Sequence, residues 1–436
     1  MSLISRVSRR HFLGRGLAAV GTAVAAPYLV PASALGFNAA TPPSDRICMG
    51  FVGLGGQGGG HLFGGAWTYL PGGYLGRDDV QVLGVCDVQG KRAAEGKARV
   101  ERHYAEKFGQ GAYKGCGAYS DIRDMLLRDD IDAVLIAAAY HAAATNAILA
   151  ARAGKDVYCE KPTSVTIRAG RALVEAVRAH GRVYQGGTQQ RSEYGGKFRQ
   201  AIELVRGGRI GRLQRVYAYQ TGGGISPPPS TARGGAVPAD INWEPYVGPL
   251  PWFNYDGSTS AHRFGFGDIN WGQHHYDIVQ WGLGADDTGP VEIRLEAGKP
   301  VYRYANGVEV FGTPPPGQAW NEGGACFVGT EGSITVHRNV FTSDPPELIR
   351  ESSAMSVPGV YYSTSHSGNF LECVRTRQRT ITDAETAHRA ASLLLLGGIT
   401  MRIGRTLKWD PQKEEFPDAP DANRLLSLAA REPWRY

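Results

Sequence analysis

The chain has 436 residues, more than one hydrophobic core usually fills, so two domains are expected. Its composition, 42% hydrophobic and 20% charged, is ordinary for a soluble globular protein. The net charge of +6 is modest, and no dense Lys/Arg run interleaved with aromatics occurs in the body of the chain, which excludes nucleic acid as a partner.

The first predicted element is an export signal. Arg9 and Arg10, followed by Phe12 and Leu13, precede a Gly/Ala-rich apolar run over residues 17–30 and a small-residue site at Ala32, Ser33 and Ala34. This is the pattern of a twin-arginine signal over residues 1–34, cleaved after Ala34. The run is shorter than the about 20 apolar residues of a membrane span. The expected product is periplasmic or secreted, exported folded, with no stable membrane insertion after cleavage; an uncleaved tether is the alternative.

An apolar run over residues 47–52 reads as a buried parallel strand. Gly53, Gly55 and Gly58 follow it, with Gly56 and Gln57 between them. In a dinucleotide fingerprint the first glycine allows the tight turn, the second lets backbone approach a pyrophosphate, and the third lets helix pack on strand. The helix amino terminus then supplies N–H donors. The next strand, residues 80–87, ends at Asp87, whose carboxylate can take the adenine ribose hydroxyls and repel a phosphate there, so NAD is expected as cofactor. Lys91 and Arg92 keep NADP open if they meet a 2′-phosphate; otherwise they are solvated helix charges. Asp87 lies beyond the usual interval of about 20 residues, because residues 64–79, rich in glycine and aromatics, read as an inserted surface loop.

Further along come a helix over 91–108, a strand over 131–137, a helix over 143–153, a strand at Val157, a helix over 167–180 and a strand over 183–186. This alternation predicts a doubly wound Rossmann sheet over residues 46–187. Residues 188–436 change pattern: a helix over 195–206, then strands over 213–220, 291–296, 308–311 and 333–337, and a long helix over 384–404. They predict an α/β domain with an open, mostly antiparallel sheet. A Pro/Gly-rich connection over 222–238, with Pro227, Pro228 and Pro229, breaks regular structure. Cys48, Cys86 and Cys159 fall in predicted strands and no C-x-x-C pair exists, which argues against disulfides and zinc.

Alcohol oxidation needs a hydride acceptor, a base and a positive charge for the developing alkoxide. Lys161 follows the Val157 strand at the carboxyl end of the sheet, where ligands of such sheets bind, and Pro162 fixes the backbone after it. The base is expected at His274, which shares one helical face with Asp277 and Trp281. His275 beside it raises metal ligation as an alternative, but no third ligand at suitable spacing supports one. His141, in the loop after the 131–137 strand, and Gln189, Gln190 and Arg191, after the 183–186 strand, occupy strand ends on the same side and are candidate contacts for cofactor or a polyhydroxylated ligand.

Together the Gly53/Gly55/Gly58 turn, Glu160-Lys161-Pro162, the Gly187 to Ser192 run and Gly272-x-His274-x-x-Asp277 resemble the Gfo/Idh/MocA oxidoreductases, and within them a secreted bacterial branch with twin-arginine signals. The resemblance implies NAD or NADP held by the glycine turn, Asp87, His141, Glu160 and Lys161. It implies catalysis by Lys161 and His274, a sugar bound by Lys161, Gln190, Arg191, Asn270, His274 and His275, no metal, and a homo-oligomer. One departure is Asn270, where many members carry an aspartate, so His274 lacks that anionic partner and is expected to be a weaker base; Asp268 or Asp277 could substitute.

Three functions follow as expectations. The first is oxidation of a secondary hydroxyl of a sugar, cyclitol or glycoside with tightly bound cofactor. The second is glycoside cleavage through transient oxidation, elimination, hydration and re-reduction. The third is a non-catalytic sugar or nucleotide sensor, against which Lys161 and His274 both argue.

Overall fold

In the computed structural model, residues 42–65, 68–109, 111, 113–219, 234–260, 269–320, 323–350 and 357–436 are described. The export segment, the triple proline, Asp268 and the side chain of Asn270 lie outside them. β1 (Ile47–Val52) is flanked by β2 (Val80–Cys86) and β4 (Ala133–Ile136), and β3 (Gly117–Tyr119), β5 (Asp156–Cys159) and β6 (Tyr184–Gly186) complete a six-stranded sheet. Its order is β3-β2-β1-β4-β5-β6 and every pairing is parallel. Phe51 of β1 registers with Val85 and Leu135, both fully buried, as expected for strands covered on both faces. The crevice where strand order reverses lies between β1 and β4, and it places the ligand site.

The longer helices on this sheet are α1 (Gly56–Phe63), α2 (Gly90–Lys107), α3 (Tyr140–Arg152) and α4 (Ile167–Ala179), with a short helix at Ile122–Leu126 packing beside them. Residues 64–79 are not the surface loop predicted. Tyr74 and Leu75 pack into the core beside Phe51 and Leu62, so apolar burial rather than solvent fixes the insertion.

The second sheet has eight strands in the order β13-β12-β11-β7-β10-β9-β8-β14, comprising β7 (Leu213–Tyr219), β8 (Glu292–Glu296), β9 (Lys299–Arg303), β10 (Glu309–Phe311), β11 (Gly324–Gly329), β12 (Ser333–Val336), β13 (Phe341–Asp344) and β14 (Leu407–Lys408). All its pairings are antiparallel except β7 with β10. β3, β9, β11, β13 and β14 were not anticipated. β9 contains Pro300, β11 has glycine at both ends, and β13 is polar, so each takes its form from the neighbours it pairs with rather than from its own propensity.

α5 (Lys197–Arg206), α6 (Ile269–Leu283), α7 (His366–Thr376) and α8 (Ala384–Ile403) complete the main elements. α8 is buried around nearly its whole circumference, apolar along its second half and, in its first, carrying Glu385, His388 and Arg389 in buried ion pairs with Arg171 and Glu414. Ala384 and Ala387 pack into the core of the first sheet, while Leu393 to Leu396 and Ile399 pack into that of the second. Asp383 caps it by accepting from Thr386 N at 3.0 Å, and Gly404 ends it in the left-handed conformation. Just before α8, Thr382 closes the edge of β6, its carbonyl accepting from Gly186 N at 2.8 Å and its hydroxyl donating to Gly186 O at 2.7 Å.

Candidate active site

The turn after β1 is built for close backbone approach. Gly53 has φ +80°, and a Cβ there would lie 2.4 Å from Ala137 O. A Cβ on Gly58 would lie 1.7 Å from Gly53 O, so only glycine lets α1 pack this tightly on its strand. Gly55 and Gly56 differ, since a Cβ on either would enter open space. Beside Gly55 that space belongs to a cavity of about 270 Å³ lined by Gly53, Gly55, Asp87, Arg92, Asn146 and Trp434, among others, and beside Gly56 to a neighbouring one. An open cradle at a helix amino terminus, with a carboxylate at the far end, fits the pyrophosphate and ribose of a dinucleotide.

Asp87 is buried, with Oδ2 accepting from Leu54 N at 2.8 Å and Oδ1 from Gln89 N at 2.9 Å. It therefore ties the glycine turn to the end of β2 as well as facing the cavity. Arg92 Nη1 lies 3.3 Å from Asp87 Oδ2 and lines the same cavity with its side chain 39% exposed, whereas Lys91 turns away from it into solvent.

A second cavity of about 390 Å³ shares Gly55, Ala137 and Ala138 with the first. Lys161 and His274 both line it, together with Gln57, Glu160, Gln189 and Arg338. The two candidates come from different halves of the chain, and one side chain holds them in register. Gln273, next to His274 on α6, accepts from Thr163 N at 2.9 Å and donates to Thr163 Oγ1 at 2.7 Å and to Ala387 O at 3.2 Å. Thr163 lies two residues beyond Lys161, so the base and the cation are fixed by one buried amide.

Beneath Lys161, Glu160 Oε1 accepts from Gln189 Nε2 at 2.7 Å and Gln57 Nε2 at 3.3 Å and lies 2.7 Å from His61 Nε2. Burial raises the Glu160 carboxyl, but the bonds and charges of His61, Lys161 and Gln189 outweigh it and hold the group below the ordinary carboxylate range. His274 moves the other way: burial, then the charges of Lys161 and Arg338, hold its imidazole well below the usual histidine range. It is neutral at pH 7, the form that accepts a proton.

Other predicted contacts are placed elsewhere. His141 lies away from both cavities, its Nε2 2.7 Å from Tyr246 O, and it lines a small separate pocket beside Thr145 and Val165. Arg191 is buried in ion pairs with Asp277 at 2.7 Å and Asp286 at 2.7 Å, a structural role that takes it out of the sugar contacts. Asp277 is occupied by the same pairing and is not the partner of His274. Gln190 and His275 are buried and line neither cavity. Gln189, not Gln190, reaches the site, because the 3-10 turn Gln189–Arg191 turns successive side chains in different directions.

Residues that sequence reasoning missed include His61, Tyr69, Trp271, Arg338 and Trp434. Tyr69 comes from the insertion after α1, Arg338 from the hairpin joining β12 and β13, and Trp434 from the segment that returns to the first sheet. None carries a local motif; only His61, four residues after Gln57 on a helix, was readable as sharing its face. Among the described residues no group of three His, Cys, Asp or Glu side chains is placed to hold a metal ion.

Comparison with known proteins agrees with this geometry. Residues 47–188 match the model of the oxidoreductase family's NAD-binding Rossmann fold, and residues 230–436 match that of the Gfo/Idh/MocA family's C-terminal alpha/beta domain. An inositol 2-dehydrogenase/D-chiro-inositol 3-dehydrogenase of Shouchella clausii is 32% identical over 133 residues, 30% of this chain and 38% of that protein. A glycosyl hydrolase family 109 protein of Shewanella pealeana is 29% identical over 172 residues, 37% of this chain and 35% of that protein. The matches thus span well under half the length of these relatives. The crystal structure of the WlbA dehydrogenase from Bordetella pertussis, in complex with NADH and UDP-GlcNAcA, shares the fold at a TM-score of 0.53 and 18% identity, covering 84% of this chain and 99% of that one. With both halves matched and the glycine cradle opening onto Lys161 and His274, the chain belongs to the Gfo/Idh/MocA oxidoreductase family and its nucleotide is NAD.

Proposed function

We propose that this protein oxidises a secondary hydroxyl of a sugar, cyclitol or glycoside. The observation that carries the reading is a single cavity, continuous with the glycine turn, lined by both Lys161 and His274. NAD, when bound, supplies the hydride acceptor. The neutral imidazole of His274 takes the hydroxyl proton, and the ammonium of Lys161 stabilises the alkoxide that forms. Tyr69, Tyr140 and Trp271 line the same cavity and offer faces for a sugar ring.

Relatives named glycosyl hydrolase family 109 proteins favour a second reading in which the oxidation is transient. The ketone acidifies the neighbouring C–H, the aglycone leaves by elimination, water adds and the ketone is reduced again. Purified protein incubated with free sugars and nitrophenyl glycosides, without added NAD, separates the two. Stable NADH absorbance supports net oxidation, nitrophenol release supports cleavage, and neither outcome overturns both in favour of a sensor. Lys161→Ala is expected to keep NAD binding and to lose turnover by at least about a hundredfold; full activity in that variant removes the lysine from the chemistry.

Export by the twin-arginine route is part of the same proposal, because a protein moved folded can carry its nucleotide with it. Replacing Arg9 and Arg10 by lysine is expected to retain the protein in the cytoplasm, read by cell fractionation.

A further inference from the structure

Of the nitrogen- and oxygen-bearing side chains that line the 270 Å³ cavity, all but one are engaged within the protein. Asp87 accepts from Leu54 N and Gln89 N and pairs with Arg92. Ser120 Oγ accepts from Asn242 Nδ2 at 3.1 Å, and Thr259 Oγ1 from Gln89 Nε2 at 2.6 Å. The Tyr246 hydroxyl donates to Ser260 O at 2.7 Å, and Trp434 Nε1 to Glu244 Oε1 at 2.6 Å. Asn146 is the exception. It is only 6% exposed and lines the cavity, yet among the described residues none bonds its amide.

The helix itself has no use for an amide at this position. α3 is alanine-rich and buried on nearly all sides, and its cavity face runs from the cap residue Ala139 through Ala142 to Asn146, at the three- and four-residue spacing of one helical stripe. Asparagine is among the weaker helix formers, so a third alanine or a leucine would make the more stable helix. A buried amide with no partner also carries the full cost of its desolvation. Buried polar groups of native proteins are almost always bonded, and here the space left for a partner is the cavity. The position along α3 says which part of a nucleotide that partner is. Tyr140, at the start of the helix, lines the cavity of Lys161 and His274, whereas Asn146, about a turn and a half further on, lines that of Asp87. Asn146 thus stands on the adenosine side of the cleft.

We infer that Asn146 reads the adenine of NAD, its carbonyl accepting from the 6-amino group and its amide donating to ring N7. That edge of adenine presents one donor and one acceptor side by side, the complement of a carboxamide. Guanine and hypoxanthine carry an oxygen at position 6, so the same edge offers two acceptors and the Asn146 carbonyl would face one of them. The alanines beside Asn146 leave room for a flat base. Whether the sugar oxidation is net or transient, the base is read in the same way.

The test uses the full-length protein freed of nucleotide on charcoal, with affinities measured by calorimetry. The probes are NAD and its hypoxanthine and guanine analogues. NAD is expected to bind at least about tenfold more tightly than either analogue. Asn146→Leu and Asn146→Ala are expected to weaken NAD by about tenfold and to bind the three nucleotides alike. The melting temperature of the nucleotide-free variants is expected to hold or to rise by roughly 1–3 °C, because the unbonded amide is gone. An asparagine that served packing alone would behave in the opposite way, its loss lowering the melting temperature and leaving the choice among nucleotides unchanged. Equal binding of the three nucleotides by the unaltered protein, or binding of none, overturns the inference. A preference for NAD that survives in both variants also overturns it, as does a lower melting temperature in both, which assigns Asn146 to packing.

Discussion

Gly55 and Gly58 sit three residues apart in one turn, yet a methyl group on each would meet different things. On Gly58 it would strike Gly53 O at 1.7 Å, whereas on Gly55 or Gly56 it would meet no protein atom within 4 Å. Gly58→Ala is therefore expected to unfold the turn and leave little soluble protein. Gly55→Ala and Gly56→Ala should keep the melting temperature of the nucleotide-free protein while weakening NAD by about tenfold or more, since the methyl occupies only the space a pyrophosphate needs. Titrating NAD into each variant checks this, and an unchanged affinity would place the pyrophosphate elsewhere. At this scale the sequence was informative where chemistry and a local motif coincide. Lys161 follows a buried strand and His274 lies on a helix with a recognisable face, so both could be named. Arg338 and Trp434 could not, because their roles depend on a hairpin and a returning segment that only tertiary structure brings to the cleft.

α6 and the loop after β5 are joined by Gln273, a residue that touches neither cavity but bonds Thr163 twice. Gln273→Leu conserves much of the volume and leaves Thr163 N buried and unpaired, at a cost of about 1–3 kcal/mol. It is expected to lower the melting temperature modestly and to reduce kcat by roughly tenfold or more, as His274 loses its register with Lys161, while KM for NAD changes little. Steady-state kinetics beside a thermal melt distinguish this from a purely structural defect, which would lower the amount of active protein without altering kcat per folded molecule. The helices were legible as elements, since α4 and α8 keep nearly the bounds their apolar patterns predict. The strands of the second sheet were less so. β11 pairs with both β7 and β12, and the pairing supplies what its Gly-flanked sequence lacks.

Across the whole molecule, burial holds several imidazoles neutral. His366 is lowered from 6.5 to about 4, burial outweighing its bond to Gly186 O, and His274 is lowered as well. In the unfolded chain both regain the ordinary value, so below pH 6.5 the unfolded state binds protons that the folded state refuses. Stability is then greatest above that pH and falls as the pH drops towards 4, by roughly 3 kcal/mol from His366 alone. Melting temperatures across this range should decline on acidification, and His366→Gln should decline less steeply; a flat profile would show that these groups are not buried as described. The doubly wound sheet and the antiparallel sheet were both legible from the alternation of patterns along the chain. Their interdependence was not, because a helix such as α8 declares only that it is buried and not what buries it.

That shared helix has a practical consequence. Ala384 and Ala387 complete one core and Leu393 to Ile399 the other, from a single twenty-residue rod. A sugar-binding half therefore cannot be grafted from one relative to another as a cassette: any crossover near residue 187 separates the nucleotide half from the rod that finishes it. Chimaeras that keep α8 with the sheet it was matched to, on both sides, are the ones expected to melt in one step.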